Sequence, residues 1–327
     1  MSARLSTRLT ERFGLDHPII GAPMAMAGGG RLAAAVSDAG GLGLIGGGYG
    51  DAEWIEKQFR AAGNASVGCG FITWSLERKP GLLDQVLKHR PTALMLSFGD
   101  PRPFIGAIAE AGVRLICQCQ TLDHVRQALG AGAAVIVAQG DEAGGHGGGR
   151  GTMAFVPETV DLVRRESPDT LVVGAGGVAD GRGLAAALAL GADGVLVGTR
   201  LWASNEALVH PNHHAAILRS GGDATVRTSI PDKARGFAWP SGHSIRVLNN
   251  DYIRRWTGRE AELEANIAAE GPKYAKAFEQ GDAENAAVVF GEGAGLIAAI
   301  EPAAAIIEKM VEGAVRALRM AGSQIRG

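Results

Sequence analysis

A chain of 327 residues that is 46% hydrophobic and 20% charged can bury a large core, enough for one big α/β domain with a smaller addition or for two ordinary domains. Its formal net charge of -2 argues against nucleic acid or an anionic membrane surface as the main partner. No apolar run reaches the roughly 18 residues that span a bilayer.

From the N-terminus, residues 1–14 carry Arg4, Arg8 and Arg12 but also Glu11, have no hydrophobic core and lead straight into an apolar run. They read as a mature N-terminal segment and not as a targeting peptide. Short β-rich runs then recur at 17–24, 42–47, 66–72, 93–99, 114–119, 134–140, 171–177 and 194–200. Amphipathic helical stretches separate them at 31–39, 54–61, 103–111, 122–130, 156–165 and 181–190. Strands that are apolar almost throughout are those covered on both faces. Eight βα units in succession predict a closed (β/α)8 TIM barrel of the α/β class, with a doubly wound open sheet as the alternative.

The alternation stops after Arg200. Residues 205–285 are polar and helical in pattern, with Pro211, Pro231, Pro240 and Pro272 and the aromatics Phe237, Trp239, Tyr252, Trp256, Tyr274 and Phe278. They are expected to form a smaller, mostly helical lid, so that the barrel comprises 1–204 plus 286–327. A closing helix is expected over 302–320, with Ile306, Ile307, Met310, Val311, Ala314, Val315 and Leu318 as its buried stripe and Pro302 in its first turn.

The 49 glycines are about twice the usual share of roughly 7%, with no low-complexity linker to absorb them. They gather at strand ends. The sixth strand runs into Gln139-Gly140-Asp141-Glu142-Ala143-Gly144-Gly145-His146-Gly147, a loop whose N–H groups can approach a ligand while His146 holds a titratable ring over it. The ordinary alternative is a glycine turn that happens to carry a histidine. Strand seven runs into Gly174-Ala175-Gly176-Gly177-Val178-Ala179-Asp180-Gly181-Arg182-Gly183, and strand eight ends at Gly198-Thr199-Arg200. In a barrel these turns are neighbours and form the usual phosphate site, with N–H groups and a helix N-terminus facing the anion; two plain tight turns are the alternative. Ala22-Pro23-Met24 ends the first strand and places a thioether where a flat ring could lie. Gln118 and Gln139 end strands five and six with amides suited to the polar edge of a heterocycle.

Other patterns carry less. Gly41-Leu42-Gly43-Leu44-Ile45-Gly46 fits G-x-G-x-x-G but overlaps a strand instead of following one. Cys69, Cys117 and Cys119 fall in strands, which suits reduced thiols in a cytoplasmic protein. Cys117 and Cys119 have no second pair to complete a zinc site, and His210, His213 and His214 have no acidic or thiol partner nearby, so no metal is expected.

Taken together, Ala22-Pro23-Met24, the Gln139–His146 run, Gly176–Gly183, Gly191–Arg200 and Gly291-Glu292-Gly293-Ala294-Gly295-Leu296-Ile297 resemble the nitronate monooxygenase family, over essentially the whole chain and in order. The resemblance implies a non-covalent FMN with its phosphate on Gly176, Gly177, Gly198 and Thr199. Its ring would lie between Ala22, Pro23, Met24 and the Gly144-Gly145-His146 loop, near Gln118 and Gln139. His146 matches the family's catalytic base. Gly70 also falls at the flavin, in Gly68-Cys69-Gly70-Phe71-Ile72, where many relatives carry an asparagine.

The implied reaction is oxidation of alkyl nitronates by O2 to carbonyl compounds and nitrite, the flavin carrying the redox step. A neutral nitroalkane would first lose its α-proton to His146, whereas with a nitronate His146 could simply orient the anion. Two further readings are open: an NAD(P)H-dependent FMN reductase of the quinone or enoyl-thioester type, and a flavin- or phosphate-binding barrel without turnover. The expected partners are a small nitronate and O2, with no nucleic acid or membrane; the oligomeric state is open.

Overall fold

The computed structural model describes residues 4–325. Parallel strands β1 (Ile19–Gly21), β2 (Leu42–Gly48), β3 (Gly68–Ile72), β4 (Ala93–Ser97), β5 (Arg114–Cys119) and β6 (Val135–Gln139) follow one another around a barrel. A short strand, β7 (Gly145–Gly147), then leaves it, and β8 (Leu171–Ala175) and β9 (Gly194–Val197) complete it by pairing back onto β1. The expected (β/α)8 barrel is present, with helices between the strands.

Seven of the eight barrel strands are buried along their whole length; only β5 opens, at Arg114 and at Gln118. Side chains alternate between two apolar layers, as the pleat demands. Ile20, Met95, Ile116, Val137 and Val173 fill the lumen, while Ile19, Leu94, Cys117, Ile136 and Val172 face the surrounding helices. The N-terminal segment forms a helix, Arg8–Phe13, closed by a capping box on Thr7. Its Leu9, fully buried, belongs to the lumen layer and plugs the barrel's lower end.

Five of the observed strands, β1, β4, β6, β8 and β9, stop short of the apolar runs at their C-terminal ends. Residues 22–24, 98–99, 176–177 and 198–200 leave the ladder and turn over the barrel mouth. The pattern could not separate them, since residues lining a cavity are as apolar as those filling a core. Pro302 is the N-cap of the helix Ala303–Gly322 and not a residue of its first turn.

The segment after β9 differs more. It holds helices, but also β10 (Thr225–Thr228) and β11 (Ser244–Leu248), which join β7 in an antiparallel three-stranded sheet in the order β10-β11-β7. The expected mostly helical lid thus carries a sheet. A separate apolar cluster, including Ile230, Ile245, Val247, Tyr252 and Tyr274, supports it.

The helix Ala303–Gly322 closes the barrel against the helix Gly181–Ala189 at backbone distance. A Cβ on Gly181 would come 2.3 Å from the Ala314 N and 2.4 Å from the Gly313 C. Gly181→Ala is therefore expected to destabilise the fold by about 1–3 kcal/mol, the usual cost of overpacking a rigid contact, and urea unfolding midpoints measure it.

Candidate functional site

One cavity of about 1060 Å³ lies over the C-terminal ends of the barrel strands, where enzymes of this architecture place their sites. Its walls bring together the thirteen candidate site residues. Ala22, Pro23 and Met24 follow β1, Gly70 lies in β3, and Gln118 and Gln139 sit at the ends of β5 and β6. Gly144, Gly145 and His146 come from the β7 loop, Gly176 and Gly177 follow β8, and Gly198 and Thr199 follow β9.

The glycines there answer two different demands. Gly176 and Gly177 have φ of +103° and +70°, a backbone that side-chain-bearing residues rarely adopt. Gly70 is fixed by proximity: a Cβ on it would lie 2.3 Å from Pro23 Cγ. A side chain at position 70 thus has no room while Pro23 lies across β3.

Beside Gly198, Thr199 Oγ1 accepts a hydrogen bond from the Gly291 N–H at 2.9 Å, leaving its own O–H free to donate. Of the two helices that begin at these turns, Thr199–Trp202 starts at Gly198 without a side-chain cap, whereas Gly181–Ala189 has its N-terminus taken. Asp180 caps it, accepting from the N–H groups of Arg182 at 2.8 Å and Gly183 at 3.3 Å. An anion here would rely on the turns at Gly176–Gly177 and Gly198–Thr199.

His146 is held from three sides. Its backbone pairs with Ile245 of β11, and its carbonyl accepts from Gln139 Nε2 at 3.0 Å. Its Nε2 lies 3.0 Å from both carboxylate oxygens of Asp232, a buried residue of the helix Ile230–Ala234. Trp239 stacks on the imidazole with ring centroids 3.4 Å apart and planes within 10°. Asp232 is shared with Arg235, whose Nη2 donates to it at 2.7 Å.

With the Nε2–H donating to the carboxylate, Nδ1 carries the lone pair. It has no hydrogen-bond partner among the described residues and is not sealed from solvent. Burial pushes the imidazole's pKa below its ordinary 6.5, partly opposed by Asp232, so the ring is neutral near pH 7.

Gln118 and Gln139 line the cavity, but their amides first serve each other. Ser97 Oγ donates to Gln118 Oε1 at 2.9 Å, Gln118 Nε2 donates to Gln139 Oε1, and Gln139 Nε2 holds the His146 carbonyl. This chain ties three barrel strands to the histidine.

Sequence reasoning missed Asp232, Trp239 and Arg235, and also the clamp that docks the insert. Asp141, in the glycine loop, is paired with Arg227 of β10 and Arg246 of β11, the latter donating to its Oδ2 at 2.9 Å. The alternation Ser244-Ile245-Arg246-Val247 was the available signal for β11; nothing local marks Asp232 as a partner of a histidine 86 residues earlier. Among the described residues, no group of three or more His, Cys, Asp or Glu is arranged to hold a metal.

A family model described as nitronate monooxygenase matches residues 6–67 and 75–313. Nitronate monooxygenase npaC of Metarhizium robertsii is 34% identical over 325 residues, covering 89% of this chain and 89% of that protein. Among solved structures, FabK from Thermotoga maritima matches with a TM-score of 0.84 at 31% identity, covering 98% of this chain and all of FabK. A nitroalkane oxidase from Streptomyces ansochromogenes matches at 0.80 and 26%, covering 96% and 99% of the two chains. On the family model and the full-length relative together, this chain belongs to the nitronate monooxygenase family.

Proposed function

We propose that this protein is an FMN-dependent monooxygenase that oxidises alkyl nitronates with O2 to carbonyl compounds and nitrite. The observation that carries the reading is a family member's glycine-floored cavity with a neutral, carboxylate-oriented histidine on its wall. The residues fit a flavin. Two turns with positive-φ glycines or an open Gly198 suit a phosphate, since a Cβ on Gly198 would meet nothing nearer than Ala22 Cβ at 3.7 Å. Ala22, Pro23, Met24 and Gly70 form a flat wall for the ring, and Gly144 and Gly145 let the facing loop lie close to it.

When bound, the flavin supplies the electron transfer between substrate and O2. The chain's own contribution is orientation and proton handling. Nδ1 of His146 is the atom placed to take the α-proton of a neutral nitroalkane, and Asp232 stabilises the imidazolium that results. A preformed nitronate needs no such transfer, and His146 then orients its anionic head. The insert excludes water on the side of Trp239 and Phe98, whose rings lie 5.1 Å apart. No helix of the described residues is long and apolar enough to cross a membrane. Three free, buried thiols suit a reducing cytoplasmic compartment.

Anaerobic mixing of the purified yellow protein with an alkyl nitronate, and separately with NADH and NADPH, tests the reading. Loss of oxidised-flavin absorbance with the nitronate alone supports it; bleaching by a nicotinamide nucleotide, with none by the nitronate, makes the protein a reductase. His146→Asn should keep its flavin spectrum while turnover of neutral nitroalkanes falls by at least about 10²-fold, the span of a general base. In Asp232→Asn, burial continues to lower the His146 pKa while the opposing carboxylate is gone. The imidazole titration read by NMR, and the acid limb of nitroalkane turnover, should both move to lower pH than in the wild type.

A further inference from the structure

The cavity, about 1060 Å³, stands at the upper end of the roughly 300–1,000 Å³ of ligand sites and continues beyond the barrel mouth under the insert. One wall of the extension is the helix Ile267–Glu279. That helix packs Tyr274 and Ala277 into the insert's own core and lines the cavity chiefly with Ile267, Gly271, Ala275 and Phe278, which share one helical stripe, with Pro272, Tyr274 and, at its end, Glu279 beside them. The opposite wall is Met26 and Leu208, the latter tied in by its N–H to the Ala27 carbonyl at 2.9 Å.

Three observations point to an apolar guest. Met26, Leu208 and Phe278 remain 60%, 48% and 42% exposed, and all three ring this one cavity. Met26 holds φ at +64°, a strained backbone for a side-chain-bearing residue, and such strain gathers at ligand clamps. Arg235 is the only Lys or Arg among the described lining residues, and it lies at the His146 end, against Tyr49 and Phe237. The extension therefore offers a phosphate-bearing carrier group no Lys or Arg; its titratable lining is His210, Glu279 and His213, whose imidazole burial pushes down to about 4.

We propose that this extension is a chain subsite, receiving the unbranched alkyl tail of an elongated nitronate whose head lies at His146. The inference rests on the reading of the site as one for alkyl nitronates and names the class within it. Small residues at 271 and 275 keep the channel open, and Met26, Leu208 and Phe278 grip the tail where it passes under the insert.

Calorimetry on the flavin-loaded protein with n-alkanoates from butanoate to dodecanoate tests it, the carboxylate standing in for the planar anionic head. Affinity should rise about fourfold per added methylene, the gain from burying one such group. In Ala275→Phe the slope should flatten, the loss growing with chain length. Lys276→Phe, on the adjacent position and outside the lining, should leave the series as in the wild type. A wild-type series without chain-length dependence, or a slope that survives Ala275→Phe, overturns the subsite. A clear slope in a protein that oxidises no nitronate keeps the subsite and fails the proposed activity, so the two failures are distinguishable.

Discussion

The site depends on a contact between two parts of the fold: His146, carried out of the barrel on β7, meets Asp232, carried by the insert, at 3.0 Å. The imidazole's direction is set by that pair and by the stacked Trp239, while its height above the barrel is set by the β7–β11 ladder. None of these partners belongs to the barrel. A hydrogen bond to a buried carboxylate is stronger than a neutral one, and removing one member of such a pair leaves the other without its partner in a poorly solvated place. The insert is thus more than a cover over a finished site. The clamp of Arg227 and Arg246 on Asp141 serves the same end, since it anchors the glycine loop to the sheet that positions its histidine.

The barrel contributes a floor instead. Its strands stop where the backbone must bend away from the ladder, and glycine allows the bends. Gly70 and Gly181 show how distance, apart from torsion, selects the residue: each lies against an atom that a Cβ could not approach. At Gly70 that neighbour is Pro23, itself part of the wall, so the two residues are coupled.

The parts legible in the sequence were those coded by short-range pattern. Strand β5 and the helix Leu122–Gly130 coincide with their expected bounds: the apolar run Leu115-Ile116-Cys117 marks the strand although polar residues open its ends, and an amphipathic helix announces its period. All thirteen candidate site residues line the one cavity, since the glycine runs that carry most of them fall at strand ends, where the barrel opens. The insert was less legible. Strands of four and five residues amid prolines and aromatics give little periodicity, and their partner strand β7 reads Gly-His-Gly, with no β-pattern at all. Asp232 illustrates the general limit: its importance comes from a pairing 86 residues away in sequence, and no local spacing encodes that. Gln118 and Gln139 mark a subtler one. Their placement was readable, but whether an amide faces a guest or a neighbouring amide depends on register between strands.

Opposing influences on the histidine connect this architecture to its chemistry. Burial alone would leave a poorly basic ring, free to rotate; a carboxylate alone, in water, would leave a protonated one. Burial under Trp239 beside Asp232 gives a ring that is neutral near pH 7 yet fixed in one tautomer, with its lone pair on the accessible nitrogen. Both members of that balance come from the insert, and so does the apolar helix that borders the far end of the cavity. The glycine floor comes from the barrel. The fold therefore divides the cavity's walls between its two parts: the barrel supplies the glycine floor, and the inserted sheet and helix supply the partners of His146 and the far wall.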